Sequence, residues 1–260
     1  MKQRAITAII ALAALLIVLF VLPPVAVKVI IAAVMLVGAW EWSGFFKAPA
    51  LPLRLAYVAI IAALLWAVTD TLAAYAEQVL IISMLWWIAA LLWTFFFPTQ
   101  IPTAVRWLAG AIVLVPMYVA LIMLYDIDRW MLLFALLIVW SADSGAFFAG
   151  KRFGRVKLAP AISPGKTWEG VIGGLVAVVL LTIARALLTA TDLAVWVPFC
   201  LAVAVVSIVG DLTVSMFKRT AGVKDSGALF PGHGGVLDRV DSIAAAAPLF
   251  ALGTSWAGLR

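Results

Sequence analysis

The chain has 260 residues, 67% of them apolar and only 12% charged, and its mean hydropathy is +1.20. Soluble domains run near 45–50% apolar and about 25% charged, so there is too little polar surface here to clothe a water-soluble globule of this length. A soluble enzyme, a disordered chain and a nucleic-acid-binding domain are thereby excluded, and the net charge of +6 has to be explained by membrane topology.

A bilayer-crossing helix needs about 20 mostly apolar residues. The sequence predicts such spans near residues 5–22, 25–42, 55–74, 79–97, 107–125, 130–148, 170–188, 194–216 and 241–257. The first is expected to be a retained helix rather than a signal peptide, because no small-residue cleavage site leads into a soluble domain. Pro23 and Pro24 break the first two spans into a hairpin, since proline removes a backbone donor and restricts the chain. Pro98 and Pro102 mark a second break, and Asp70 lies near the end of the third span. Trp42, Trp107, Trp130 and Trp256 fall at predicted span ends, where an amphipathic ring suits the headgroup zone. The single cysteine, Cys200, lies in an apolar run, which excludes an intrachain disulfide or a cysteine-rich metal site. Two longer polar stretches remain, 149–169 and 217–240.

The distribution of basic residues orients this arrangement. With the N-terminus cytoplasmic, 14 of the 18 lysines and arginines fall inside, and only Lys28, Arg129, Arg185 and Arg260 fall outside. The expected fold is therefore an all-α integral membrane protein, a polytopic bundle of about nine transmembrane helices. Its N-terminus would be cytoplasmic and its C-terminus outside. Residues 1–128 are read as a membrane scaffold. Residues 129–260 are read as the catalytic region of the same continuous membrane domain, with both polar stretches on the cytoplasmic side.

Ionisable residues at membrane depth are costly and default to a functional hypothesis. Asp143 ends the sixth predicted span and Asp211 lies well inside the eighth. A lysine or arginine partner would account for either one alone. Helical spacing adds information, because Asp211, Ser215 and Lys218 stand at i, i+4 and i+7 and share a face. Asp238 and Asp241 stand at i and i+3 and also share one. Carboxylates placed together repel unless a cation lies between them, and an oxygen-only donor set points to a hard ion such as Mg²⁺. Between the acidic pairs, Lys218, Arg219, Lys224 and Arg239 accompany Gly222, Gly227, Gly232, Gly234 and Gly235. Cations, open backbone N–H groups and a helix start are what a polyphosphate requires. No Walker-type GxxxxGK[ST] occurs, so no P-loop is implied. In the earlier polar stretch Lys166 is placed to reach a phosphate or a lipid headgroup, or simply to meet anionic lipid at a helix start. His233, the only histidine, is read as a turn-stabilising or phosphate-contacting imidazole.

The segment from Ser215 to Asp241, SMFKRTAGVKDSGALFPGHGGVLDRVD, resembles the C-terminal motif of the CDP-diacylglycerol synthase (phosphatidate cytidylyltransferase) family. That motif reads S-x-hydrophobic-K-R, four residues, K-D, then P-x-H-G-G and D-R-hydrophobic-D, and every position fits. DSGAFFAGKRFG and SPGKTWEG upstream resemble family segments as well, so the similarity covers about residues 140–242. Gly165 stands where many relatives carry a second basic residue, a version associated with proteobacterial members.

The resemblance implies the conversion of CTP and phosphatidate to CDP-diacylglycerol and pyrophosphate at a bacterial inner membrane, with the site facing the cytoplasm and open sideways to lipid. It implies that Asp211 and Asp238 hold Mg²⁺ with Asp241 as partner, and it allows a second cation and a homodimer. Lys218, Arg219, Lys224 and Arg239 would neutralise substrate phosphates, and Asp211, Asp238, Lys218 and Arg239 form the implied catalytic set. Ser215, Asp225, His233, Gly234 and Gly235 would contact substrate, with Lys166 and Asp143 at the rim. The rivals are a related transferase using a polyprenyl phosphate or ether-lipid acceptor, and a secondary transporter. Transporters usually show matched repeats, whereas the polar residues here crowd into the last 120 or so positions.

Overall fold

A computed structural model describes residues 2–46, 49–71, 73–189, 191–227, 229 and 234–256. Among these, nine α-helices run α1 (Lys2–Phe20), α2 (Pro24–Ser43), α3 (Leu51–Asp70), α4 (Ala76–Thr94), α5 (Thr103–Ile127), α6 (Arg129–Phe153), α7 (Trp168–Leu188), α8 (Leu193–Thr220) and α9 (Leu237–Trp256). Seven of them, α2 to α8, are long and apolar enough to cross a membrane, α4 together with the 3₁₀ turn Ala73–Tyr75 that precedes it. The chain is a multi-pass helical membrane protein.

Local chemistry sets the helix boundaries. Proline opens α2 and α3 in the first turn, where its missing N–H is not needed. Asp128, Thr167 and Asp192 cap α6, α7 and α8, accepting hydrogen bonds from the backbone N–H groups of Trp130, Gly170 and Ala194 at 3.0, 3.2 and 2.9 Å. Helices α6 and α8 outrun the apolar spans and reach Phe153 and Thr220. Lys151 and Arg152, and likewise Lys218 and Arg219, lie in their last turns, where positive charge suits the carbonyl end of the helix. The polar stretches are correspondingly shorter than expected. One holds an antiparallel strand pair, β1 (Lys157–Ala159) and β2 (Ser163–Thr167), the departure from an all-helical fold among the described residues.

Helix α9 is the central post and touches α2, α4, α5, α6 and α8. Its run Ala244–Ala247 is buried and lets these neighbours close in. Two seams are closer still. Along α6 and α7, a Cβ on Gly145 would lie 2.6 Å from the Gly173 carbonyl oxygen, and one on Gly173 would lie 2.2 Å from the Ala149 Cβ. Between α8 and α9, a Cβ on Gly210 would lie 2.5 Å from the Asp241 carbonyl oxygen. Small residues allow helices in lipid to gain packing where no hydrophobic effect drives them together.

The tryptophans divide. Trp130 and Trp256 are 64% and 62% exposed, as headgroup anchors would be. Trp42, expected among the anchors, is instead fully buried. Its indole N–H donates to the Arg106 carbonyl at 2.8 Å and its ring packs on Phe217 with centroids 5.1 Å apart. A span end turned towards the protein interior has no headgroups to meet.

Candidate active site

The ends of α2, α6 and α8 and the starts of α5, α7 and α9 gather at one end of the bundle, and two linked clusters of charge form there. In the first, the Lys166 Nζ on β2 pairs with Asp211 Oδ2 at 2.7 Å, while the Ser215 hydroxyl donates to Asp211 Oδ1 at 3.0 Å. Asp211 and Ser215 lie one turn apart on α8, as their spacing predicts. Lys166 reaches them from the other polar stretch because its strand leads directly into α7 and Arg219 ties the turn of the strand pair to α8.

In the second cluster, Lys218 Nζ lies 2.7 Å from Asp238 Oδ1 and 3.6 Å from Asp241 Oδ2. Both carboxylates come from the first turns of α9, where negative charge is favoured. The side chains of this triad are only about 10% exposed, so each charge depends on the others for compensation. Asp241 also accepts from the Ser242 N–H at 2.9 Å. The two clusters adjoin: Asp211 and Asp241 lie within electrostatic reach of one another, and Asp143 on α6 faces Asp211, Lys166 and Ser242.

Asp238, expected as a metal ligand, spends its second oxygen on the loop between α8 and α9. Oδ2 accepts from the N–H of Ser226 at 2.9 Å, the hydroxyl of Ser226 at 3.0 Å and the N–H of Gly235 at 2.9 Å. Gly234 has φ +79°, and a Cβ there would lie 2.5 Å from the same oxygen, so this turn requires glycine. Arg219 lies exposed in the last turn of α8. Its Nε donates to the Ile162 carbonyl at 3.1 Å and ties α8 to the turn of the strand pair. Lys224, Asp225 and Arg239 are exposed around the rim. His233 lies outside the described residues.

Sequence reasoning missed Glu41. It lies on α2, is 5% exposed, and its carboxylate accepts from the N–H groups of Val236 and Leu237 at 2.9 and 2.8 Å and from the Ser226 hydroxyl at 3.0 Å. An acidic residue inside a predicted span, 25–42, was the available signal.

The donor chemistry fits a hard divalent ion. Carboxylates from α6, α8 and α9 face one another, and two ammonium groups already supply positive charge among them. As the side chains stand, no three His, Cys, Asp or Glu residues converge at ligand distance among the described residues.

The chain matches the cytidylyltransferase family over residues 2–256. It is 36% identical over 279 aligned positions to the phosphatidate cytidylyltransferase of Haemophilus influenzae, covering 96% of this chain and 97% of that one. To the enzyme of the same name from Pseudomonas aeruginosa it is 41% identical over 266 positions, covering 96% of each. A shorter match to the Brucella suis phosphatidate cytidylyltransferase is 49% identical over 122 positions, 46% of this chain and 45% of that one. The chain belongs to the cytidylyltransferase family.

Proposed function

We propose that this member of the cytidylyltransferase family converts CTP and phosphatidate to CDP-diacylglycerol and pyrophosphate at the charged end of its helical bundle. The observation that carries the reading is the convergence of Asp143, Lys166, Asp211, Lys218 and Asp241 beside a glycine-rich loop, in a chain that matches phosphatidate cytidylyltransferases over nearly its full length. A soluble nucleotide and a lipid that never leaves the bilayer have to meet at such a place. The end of the bundle rich in lysine and arginine is then the cytoplasmic face, in the bacterial inner membrane.

A phosphatidate oxygen is already an anionic nucleophile. It attacks the α-phosphorus of CTP, the new P–O bond forms, and the bond from the α-phosphorus to its bridging oxygen breaks as pyrophosphate leaves. No covalent enzyme intermediate is required. Such transfers rest on positioning and on charge stabilisation. Lys218, Lys224 and Arg239 neutralise the phosphates, and Lys166 balances the carboxylates from the opposite wall. Arg219 fixes the strand pair that carries Lys166, through its bond to Ile162.

Mg²⁺ is part of the proposal, held by Asp211 and Asp241 with Asp143 beside them. When bound it would polarise phosphoryl oxygens and offset the charge of the leaving group. Asp238, whose Oδ2 accepts three hydrogen bonds from the loop while Oδ1 takes the Lys218 ammonium, is assigned to holding Lys218 and the loop.

Purified protein incubated with phosphatidate, labelled CTP and Mg²⁺ should move label into the lipid phase and release pyrophosphate. Absence of lipid label, or label appearing only when a polyprenyl phosphate or an ether lipid replaces phosphatidate, would overturn the reading. A liposome flux assay run alongside should show no transport.

A further inference from the structure

Glu41 belongs to the half of the chain expected to be scaffold, yet it grips the loop of the charged site. A buried carboxylate is tolerated only when hydrogen bonds satisfy it, and those bonds come here from Ser226 in the loop and from the start of α9. Val236, the residue just before α9, and Leu237, its first residue, supply amides that have no partner inside that helix. Glu41 therefore caps α9 from another helix. From within the loop, the Ser226 hydroxyl lies 3.0 Å from both Glu41 Oε2 and Asp238 Oδ2 and bridges the two carboxylates.

The surroundings are shaped for this grip. A Cβ on Gly227 would lie 2.6 Å from Glu41 Oε1, and one on Gly235 would lie 2.3 Å from Oε2. Glu41 is itself immobilised by its neighbours. Trp42 is pinned between Arg106 and Phe217. The Ser43 hydroxyl donates to the Trp40 carbonyl at 2.6 Å and accepts from Arg54 Nε at 2.9 Å. The Arg54 guanidinium lies 3.8 Å above the Trp40 ring.

Resting on the reading above, we propose that Glu41 is a positioning residue for cytidylyl transfer. It clamps Ser226, in the loop between α8 and α9, to the start of α9, and so sets Asp238, and through Asp238 the Lys218 ammonium, where the nucleotide phosphates bind.

The test uses the full-length protein in detergent or nanodisc. In Glu41→Gln the side-chain amide turns a donor towards backbone donors. Amide exchange at Val236 and Leu237 should accelerate, and KM for CTP should rise roughly tenfold to a hundredfold, the range seen when groups that orient a site are lost. KM for phosphatidate should not change. Gly235→Ala, which leaves the carboxylate in place but crowds it, should give the same pattern. It should add nothing further in a Glu41→Ala background.

Unchanged exchange in either Glu41→Gln or Gly235→Ala would overturn the proposal. So would faster exchange with an unchanged KM for CTP, or a parallel fall in melting temperature and kcat with both KM values constant. If Glu41→Gln does not fold, Gly235→Ala and Ser226→Ala carry the same expectation. Should the unaltered protein fail to label phosphatidate, the functional reading falls, while the exchange measurement still decides whether Glu41 clamps the loop.

Discussion

The two ends of the bundle each hold a lysine–aspartate pair at 2.7 Å. At the charged end, Lys218 and Asp238 are 10% and 11% exposed; at the opposite end, Lys28 and Asp126 are 35% and 51% exposed. The second pair borders an open cavity of about 520 Å³ lined by Phe20, Tyr125, Asp128, Arg129 and Trp130. Identical distances conceal different physics. A buried pair is a mutual dependency, since removing one partner strands the other, whereas a solvated pair is worth about 0–1 kcal/mol. Burial, more than separation, distinguishes the working end from the other.

Breaking each pair in turn tests that contrast. Lys218→Ala leaves Asp238 and Asp241 facing each other without compensation, and should destabilise the protein by about 3–5 kcal/mol, read as a shifted denaturation midpoint, together with loss of cytidylyl transfer. A midpoint within error of the parent would mean the triad is solvated. Asp211→Asn keeps the side chain's shape and its bond from Ser215, and the Lys166–Asp211 pair is about a quarter exposed. The fold should survive while turnover falls roughly 10²–10³-fold, the scale for losing one preorganised charge-stabilising group. Near-normal labelling of phosphatidate by the purified variant would remove Asp211 from the site. Lys28→Ala should shift the midpoint by under about 1 kcal/mol and leave turnover untouched; a larger effect on either would show that the opposite end is also at work.

Much of this was legible in the sequence because helical period reports what shares a face. The spacing of Asp211, Ser215 and Lys218 correctly implies one line along α8, and Asp238 and Asp241 do meet the same ammonium. Period says nothing about what lies across a gap. Lys166 meets Asp211 through a strand pair that hydropathy does not register, and Arg219 gives its Nε–H to a carbonyl in the turn of that pair. Trp42 misleads, and Glu41 goes unread, for a shared reason. Each stands at a span end, where sequence patterns assume water or headgroups, and each is enclosed by protein instead.

The seam of α6 and α7 has a mechanical side. Two helices brought together backbone to backbone behave as one stiff beam, with no side-chain cushion to absorb sliding or rotation. Lys166 is mounted at the tip of that beam, so its reach is fixed by the short strand pair and by the Arg219 bond that ties its turn to α8. A bulkier residue at Gly145 or Gly173 would pry the two helices apart near that tip, disturbing a charge that the altered residue never touches.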